Sequence, residues 1–330
     1  MLRVRLLILP VAALAIIVLS STASAQSIDF SQFFSVSTPG ARANGMGRAF
    51  VGVADDASAT VTNPGGLMFL TRPQVYVEFK SSFDDLPVDQ FGDQLQSLRA
   101  RISFLSVSAP INDRVAVAFS RHEFFGADIN LPSIALIDHV RGTSYSGSVA
   151  TTVRPDLKIG ATISGARLTD DSAGGHTDTA AGFTVGGLWQ ANPMVSIGVA
   201  GTKWSGSSNS DTFVAPSQIK AGVGVTPNPK LKVAVDVVRV FYPSDLSENS
   251  TEFHLGGEYQ LMPVGQNRFF VRAGVFTGKE ASINTTTGNS STDTSTTGTV
   301  GGGVVIGQQF QVDLAVLTRK EVVVSAAVRF

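Results

Sequence analysis

From Pro73 to the last residue, apolar and polar side chains alternate in runs too short for helices. In the stretch 231–237, Leu231, Val233, Val235 and Val237 take one set of positions and Lys232, Ala234 and Asp236 the other. A period of two sends such sets to opposite faces of an extended strand, one greasy and one polar or small. The pattern recurs with Val115, Val117 and Phe119 against Arg114, Ala116, Ala118 and Ser120, and with Leu157, Ile159, Ala161 and Ile163 against Lys158, Gly160, Thr162 and Ser164. It returns with Phe310, Val312, Leu314 and Val316 against Gln311, Asp313 and Ala315, and with Phe253, Leu255, Gly257 and Tyr259 against Glu252, His254, Gly256 and Glu258. Such runs predict about fourteen strands, an even number as in bacterial membrane barrels. They centre near Val77, Phe104, Val117, Ser148, Ala161, Thr184, Ile197, Ala221, Val235, Gly256, Val271, Gly302, Leu314 and Ala326, the fourth and twelfth being the weakest.

Soluble sandwiches share these dyads, so the connections decide between them. Tight turns at Asn112-Asp113, Pro155-Asp156, Asn192-Pro193, Asn228-Pro229 and Gly307-Gln308 alternate with longer links at 83–97, 124–142, 169–175, 205–211, 242–250 and 278–294, with two exceptions, a middling turn at 262–267 and a short hairpin at 318–320 on the long-link side. Short turns on one rim and long loops on the other are the pattern of an up-and-down barrel in an outer membrane, with the loops outside the cell. The expected fold is therefore all-β: a transmembrane antiparallel up-and-down β-barrel of about 14 strands. Val322, Val324, Ala326, Val328 and Phe330 share one face of the last strand. A terminal aromatic there resembles the signal read by the barrel assembly machinery, which makes Phe330 the expected membrane-insertion signal.

Composition supports export and strands. Charged residues are 15% of the chain, against roughly 25% in ordinary soluble domains. The chain has 33 glycines, and its net charge of -1 offers no basic surface for nucleic acid. With no cysteine, it has neither a disulfide framework nor a thiolate metal site. Arg3 and Arg5, the apolar run from Leu6 to Leu19 and Ala23-Ser24-Ala25 before Gln26 predict a cleaved Sec signal peptide over residues 1–25. The run falls short of the roughly 18 to 20 apolar residues that a spanning helix needs. The expected destination is the outer membrane of a Gram-negative cell, with outer-membrane lipid around the barrel. Residues 26–72, rich in Gly, Ala and Asp with little alternation, form an expected N-terminal hatch, and residues 73–330 the barrel.

The hatch segment carries the most specific signal. Gly45-Met46-Gly47-Arg48-Ala49-Phe50, then Ala54-Asp55-Asp56-Ala57, then Asn63-Pro64-Gly65, then Arg72-Pro73, resemble in order and spacing the opening of the FadL/TodX family of outer-membrane hydrophobic-compound transporters. The resemblance is sharp over about forty residues and architectural beyond. It implies a small hatch in the lumen of a fourteen-stranded barrel, built around Gly45, Gly47, Arg48, Asp55, Asp56, Asn63 and Pro64. The family's Asn-Pro-Ala motif is kept at Asn63-Pro64, with Gly65 in place of the alanine. It also implies an uptake channel: a fatty acid or hydrocarbon is captured at the surface, passed beside the hatch and released sideways through the wall. Such a ligand gains about 0.8 kcal/mol per buried methylene along apolar walls. The same opening occurs in PorV-like barrels, which serve as shuttles or anchors for secreted surface proteins, and that is the alternative function.

Other residues extend or limit this reading. Lumen-facing Lys158, Lys232, Asp236, Glu258, Asp313 and Arg329 are available to pair with the hatch. In the link 124–140, Phe124, Phe125, Leu131, Ile134, Leu136 and Ile137 are too apolar for a wet loop and form the candidate ligand-capture surface. Phe83, Leu86, Val88, Phe91 and Leu95 are its candidate facing wall, and no Gly or Pro in 114–121 marks a kink where the wall would open. The four histidines lack metal-ligand spacing, and His122, His139 and His176 fall in or near expected loops. Gly45-Met46-Gly47 lacks the third glycine of a dinucleotide fingerprint, and no Gly-x-Ser-x-Gly elbow occurs. No enzyme, catalytic residue, metal or cofactor is expected.

Overall fold

A computed structural model describes residues 27–29, 38–82, 85–87, 94–96, 101–131, 136–170, 176–206, 216–242, 249–284, 290–319 and 321–330. The expected signal peptide lies outside these residues. Fourteen strands form the wall: β1 (Gln74–Ser82), β2 (Arg101–Asn112), β3 (Val115–Leu131), β4 (Leu136–Arg154), β5 (Leu157–Asp170), β6 (His176–Asn192) and β7 (Val195–Gly206). The ring continues with β8 (Ser217–Asn228), β9 (Leu231–Phe241), β10 (Ser250–Gln260), β11 (Arg268–Asn284), β12 (Ser290–Ile306), β13 (Phe310–Leu317) and β14 (Glu321–Arg329). Each pairs antiparallel with its neighbour, and β14 returns to β1, with Val324 opposite Phe79 and Ala326 opposite Val77. Closure removes the exposed edges that an open sheet would leave. All fourteen expected strand centres fall inside these strands.

The alternation separates the two faces of the wall. Val117, Phe119, Ile163, Val235, Phe253, Leu255, Val312 and Leu314 are exposed on the outside, while Ala116, Ala118, Ala234, Asp236, Glu258 and Asp313 are buried in the bore. An exposed band of large apolar groups around a closed sheet is what a bilayer solvates. Among the described residues no helix is long and apolar enough to cross a membrane.

The wall corrects the expected boundaries. β3 runs to Leu131 and β4 starts at Leu136, so most of the stretch 124–142 is a strand hairpin rather than an irregular link. Phe125, Leu131, Leu136 and Ile137 lie in these strand extensions, while Ile134 lies outside the described residues. Within the link 83–97, the short strands Asp85–Pro87 and Gln94–Gln96 pair with each other, and the second joins β3 with Leu95 opposite Ile129. Phe83, Val88 and Phe91 lie outside the described residues. β3 is also irregular: Glu123 pairs with Thr143 and Phe125 with Gly142, leaving Phe124 as the extra residue of a bulge. The irregularity thus falls beyond 114–121 and uses neither glycine nor proline.

Residues 38–70 sit in the bore, and Thr71 and Arg72 emerge at the short-turn rim. Helix α1 (Ala41–Gly45) ends at Gly47, whose φ of 59° is the left-handed conformation a glycine adopts without strain. Helix α2 (Ala59–Thr62) leads through Asn63 into a 3-10 turn at Pro64–Phe69. The pyrrolidine of Pro64 suits the first position of that turn, where no backbone donor is needed. Phe50, Met46 and Leu67 are fully buried, together with wall residues Ala116, Ala150, Leu188 and Ala234. This core joins plug and wall.

Candidate functional site

The hatch is fixed to the wall by charges, by hydrogen bonds to its backbone and by close contact. Arg42 Nε and Nη2 donate to Glu258 of β10 at 2.8 and 2.9 Å, and its Nη1 meets Asp55. Lys232 of β9 reaches the other oxygen of Asp55 at 2.7 Å. Glu258 also accepts from Arg272 of β11 at 2.7 Å, and Arg272 faces Asp313 of β13 at 2.8 Å. Charges removed from water this far cost several kcal/mol each unless paired, so the chain of pairs is what makes their burial tolerable.

Burial alone would raise the Asp55 carboxyl, but the Arg42 and Lys232 charges win and hold it well below the usual carboxylate range. Its neighbour Asp56 goes the other way: burial lifts it, against the pull of Arg42 and the hydrogen bonds from the Ser58 amide and hydroxyl at 2.9 and 2.6 Å. Arg48 is lowered by burial to about 10, with Glu252 and Glu78 opposing.

The wall also satisfies hatch backbone. Asp236 of β9 accepts from the Phe50 and Val51 amides at 2.6 and 2.8 Å. Ser196 of β7 donates to the Gly52 carbonyl at 2.6 Å, Thr162 of β5 to the Thr60 carbonyl at 3.0 Å, and Thr299 of β12 to the Gly45 carbonyl at 3.2 Å. Asn63 ties three segments together. Its amide donates to the Val51 carbonyl and to the Gly187 carbonyl of β6, both at 3.0 Å, and its oxygen accepts from the Gly65 amide. Of the six lumen-facing residues expected to pair with the hatch, Lys232, Asp236 and Glu258 do so directly, and Lys158 sits 4.4 Å from the Phe69 ring centroid. Asp313 and Arg329 bond within the wall, to Arg272 and to Gln311.

Glycines set the clearance. On the bore face of β5, β6, β7, β10 and β11, Gly160, Gly186, Gly198, Gly256 and Gly274 lie directly against the hatch. A methyl group on Gly256 would come 2.1 Å from the Met46 carbonyl oxygen, and one on Gly198 2.1 Å from that of Val51. The hatch main chain therefore rests on the wall without an intervening side chain.

An aromatic arc runs along the bore face, from beside the hatch, where Tyr76 and Phe104 pack with Ala57 and Val61, toward the rim of longer links. Tyr76 of β1 and Phe104 of β2 meet edge to face at 5.9 Å, Phe104 and His122 of β3 at 5.9 Å, and His122 and Phe124 at 6.4 Å. Phe124 then reaches Trp204 of β7 at 6.4 Å, joining two strands that are not neighbours in the sheet. The indole lies over Gly182 of β6, where a methyl group would be 2.5 Å from its ring. His122, expected near a loop, is buried in this arc. The sequence marks Phe104 only as a strand centre and gives Tyr76 and Trp204 no role. Their signal is that each shares the polar face of its strand, beside Gln74 and Glu78, Ser106 and Ser108, or Thr202.

Gly45, Gly47, Arg48, Asp55, Asp56, Asn63 and Pro64 all belong to the hatch, and Phe124 to the arc. Phe330 follows β14, its ring exposed and its amide donating to the Pro73 carbonyl at 3.0 Å.

Together these features define a closed fourteen-stranded β-barrel plugged by its own N-terminal segment. No family profile matches the chain, and no curated protein is similar to it in sequence. Solved structures do match. A FadL homologue from Pseudomonas aeruginosa superposes with a TM-score of 0.66 at 13% identity, covering 90% of this chain and 99% of that one. The toluene transporter TbuX from Ralstonia pickettii gives 0.65 at 14%, covering 89% and 99%, and the toluene transporter TodX from Pseudomonas putida 0.64 at 12%, covering 91% and 100%. The chain has the fold of the FadL-type barrels.

Proposed function

We propose that the chain is an outer-membrane uptake channel for hydrophobic small molecules, a fatty acid or a hydrocarbon, with the short-turn rim facing the periplasm. The observation that carries this reading is a hatch sealed into the bore, with an aromatic arc that runs from beside it to Phe124 and Trp204. Tyr76, Phe104 and His122 are buried within the arc, and half-buried Phe124 and Trp204 are the rings that a water-insoluble compound would meet; offset or edge-on aromatic pairs add about 0.5–1.5 kcal/mol beyond buried area. A bore filled by buried side chains and close-packed glycines gives a hydrated solute no wide route. The bulge at Phe124, where the arc meets the wall, supports sideways release into the membrane. The solved barrels of the same fold include two toluene transporters, in keeping with a small apolar permeant.

Uptake of radiolabelled toluene and of oleate into cells expressing the parent or Trp204→Ala tests this. The parent should raise uptake of at least one compound over barrel-free cells, and Trp204→Ala should lower that rate several-fold while the barrel still assembles. No uptake by the parent, with loss of secreted surface proteins when the gene is deleted, would replace the channel by a secretion shuttle.

A further inference from the structure

Below the hatch, on the rim of short turns, a cavity of about 790 Å³ carries chemistry that uptake of an apolar compound does not use. Three guanidinium groups line it: Arg72 between hatch and β1, Arg268 at the start of β11 and Arg329 at the end of β14. The carboxylate in the lining is Asp55, whose two oxygens are already held by Arg42 and Lys232. Arg72 donates to the Gln308 side chain at 3.1 Å and Arg329 to that of Gln311, both neutral acceptors. Arg268 has no ion pair among the described residues and lies 6.0 Å from the Phe270 ring centroid.

A second, independent feature points the same way. Gln74 also lines the cavity; it is 2% exposed, and its Nε2 is a buried donor without an acceptor among the described residues. A buried donor left unpaired costs about 1–3 kcal/mol. Like charges facing one space repel. Three cations and an amide donor without an acceptor therefore line a space whose one carboxylate, Asp55, is already engaged, which leaves it suited to an acceptor bearing negative charge.

We infer that this cavity binds a phosphate group, from a free phosphate or from a phospholipid headgroup at the membrane surface. A tetrahedral oxyanion accepts from several directions at once, which suits a cavity lined by guanidinium groups from three segments, and Arg–phosphate bonds are charge-assisted and often bidentate. Bound there, the group bridges Arg72, which follows the hatch, to both strands of the wall that contribute arginines.

Titration calorimetry of inorganic phosphate into the detergent-solubilised full chain, at constant ionic strength, reads the site directly and independently of uptake. Saturable binding and a raised melting temperature are expected. Arg268→Gln and Gln74→Leu should each weaken binding about tenfold, the loss of one charge-assisted or buried hydrogen bond. Lys230→Gln, on an exposed turn outside the cavity, should leave it unchanged and so exclude general charge screening. In lipid discs, phosphatidylglycerol should compete with inorganic phosphate if headgroups supply the group, whereas phosphatidylglycerol discs and discs of a phosphate-free galactolipid behaving alike would assign it to free phosphate. Two results overturn the site: no saturable binding together with equal melting in the two kinds of disc, or binding undiminished in Arg268→Gln and Gln74→Leu.

Discussion

At the scale of single residues, contacts with no tolerance carry the most information. Gly256 has its Cα hydrogen facing the Met46 carbonyl, and a methyl group there would need roughly an ångström more room than exists. Gly256→Ala should therefore destabilise the seated hatch by about 1–3 kcal/mol, the usual cost of overfilling a packed interior. Raised single-channel conductance with strand content unchanged would show it. Gly147→Ala, where nothing lies within 4 Å, is the matched control. Equal conductance in the two variants would mean that the hatch rides clear of the wall. Several of these glycines were visible in the sequence as small members of a polar face, but their contacts were not, because a glycine's partner across a bore leaves no mark on local periodicity.

At the scale of elements, hatch and strand meet through titratable groups, and the sign of the pH effect follows from Asp55. Its carboxyl is depressed in the folded chain, so the stabilisation it brings is complete above the unfolded value of about 4 and fades as pH falls below that. Asp56, raised chiefly by burial, works in the opposite sense: its cost is relieved as pH falls. Comparison with Asp55→Asn isolates the first contribution. That variant should lose on the order of 1–3 kcal/mol at neutral pH and converge with the parent in strong acid, as read by thermal melting of the solubilised barrel. Identical melting at neutral pH would deny Asp55 any holding role.

Legibility also differed among the elements. β9 and β13 were plain because bulky apolar residues alternate with charged, amide or small ones, as Leu231, Val233, Val235 and Val237 do with Lys232, Ala234 and Asp236. β4 and β12 were faint, yet they span 19 and 17 residues. Their bore faces carry hydroxyls such as Ser144, Ser146 and Ser148, and their outer faces include Gly147 and Gly302, so hydrophobic contrast is low. The ladders of β3, β5, β11 and β13 hold them in place. Phe124-Phe125 broke the alternation of β3 and made a strand resemble an apolar loop. The same pair marks a bulge, where two residues oppose one.

For the molecule as a whole, closure joins the first strand to the last, and the hatch that precedes β1 rests its main chain directly on glycines of the wall. We expect such a stopper to be seated as the wall closes around it rather than threaded through a finished neck. During refolding of the full chain, protection of residues 38–72 from protease should appear before or together with the heat-resistant barrel band on a gel. Protection arriving only after that band would mean that the neck can stretch. The glycines that let plug and wall touch thus bear on the order of biosynthesis as well as on the finished shape, with the leading segment serving as the mandrel for the strands that follow it.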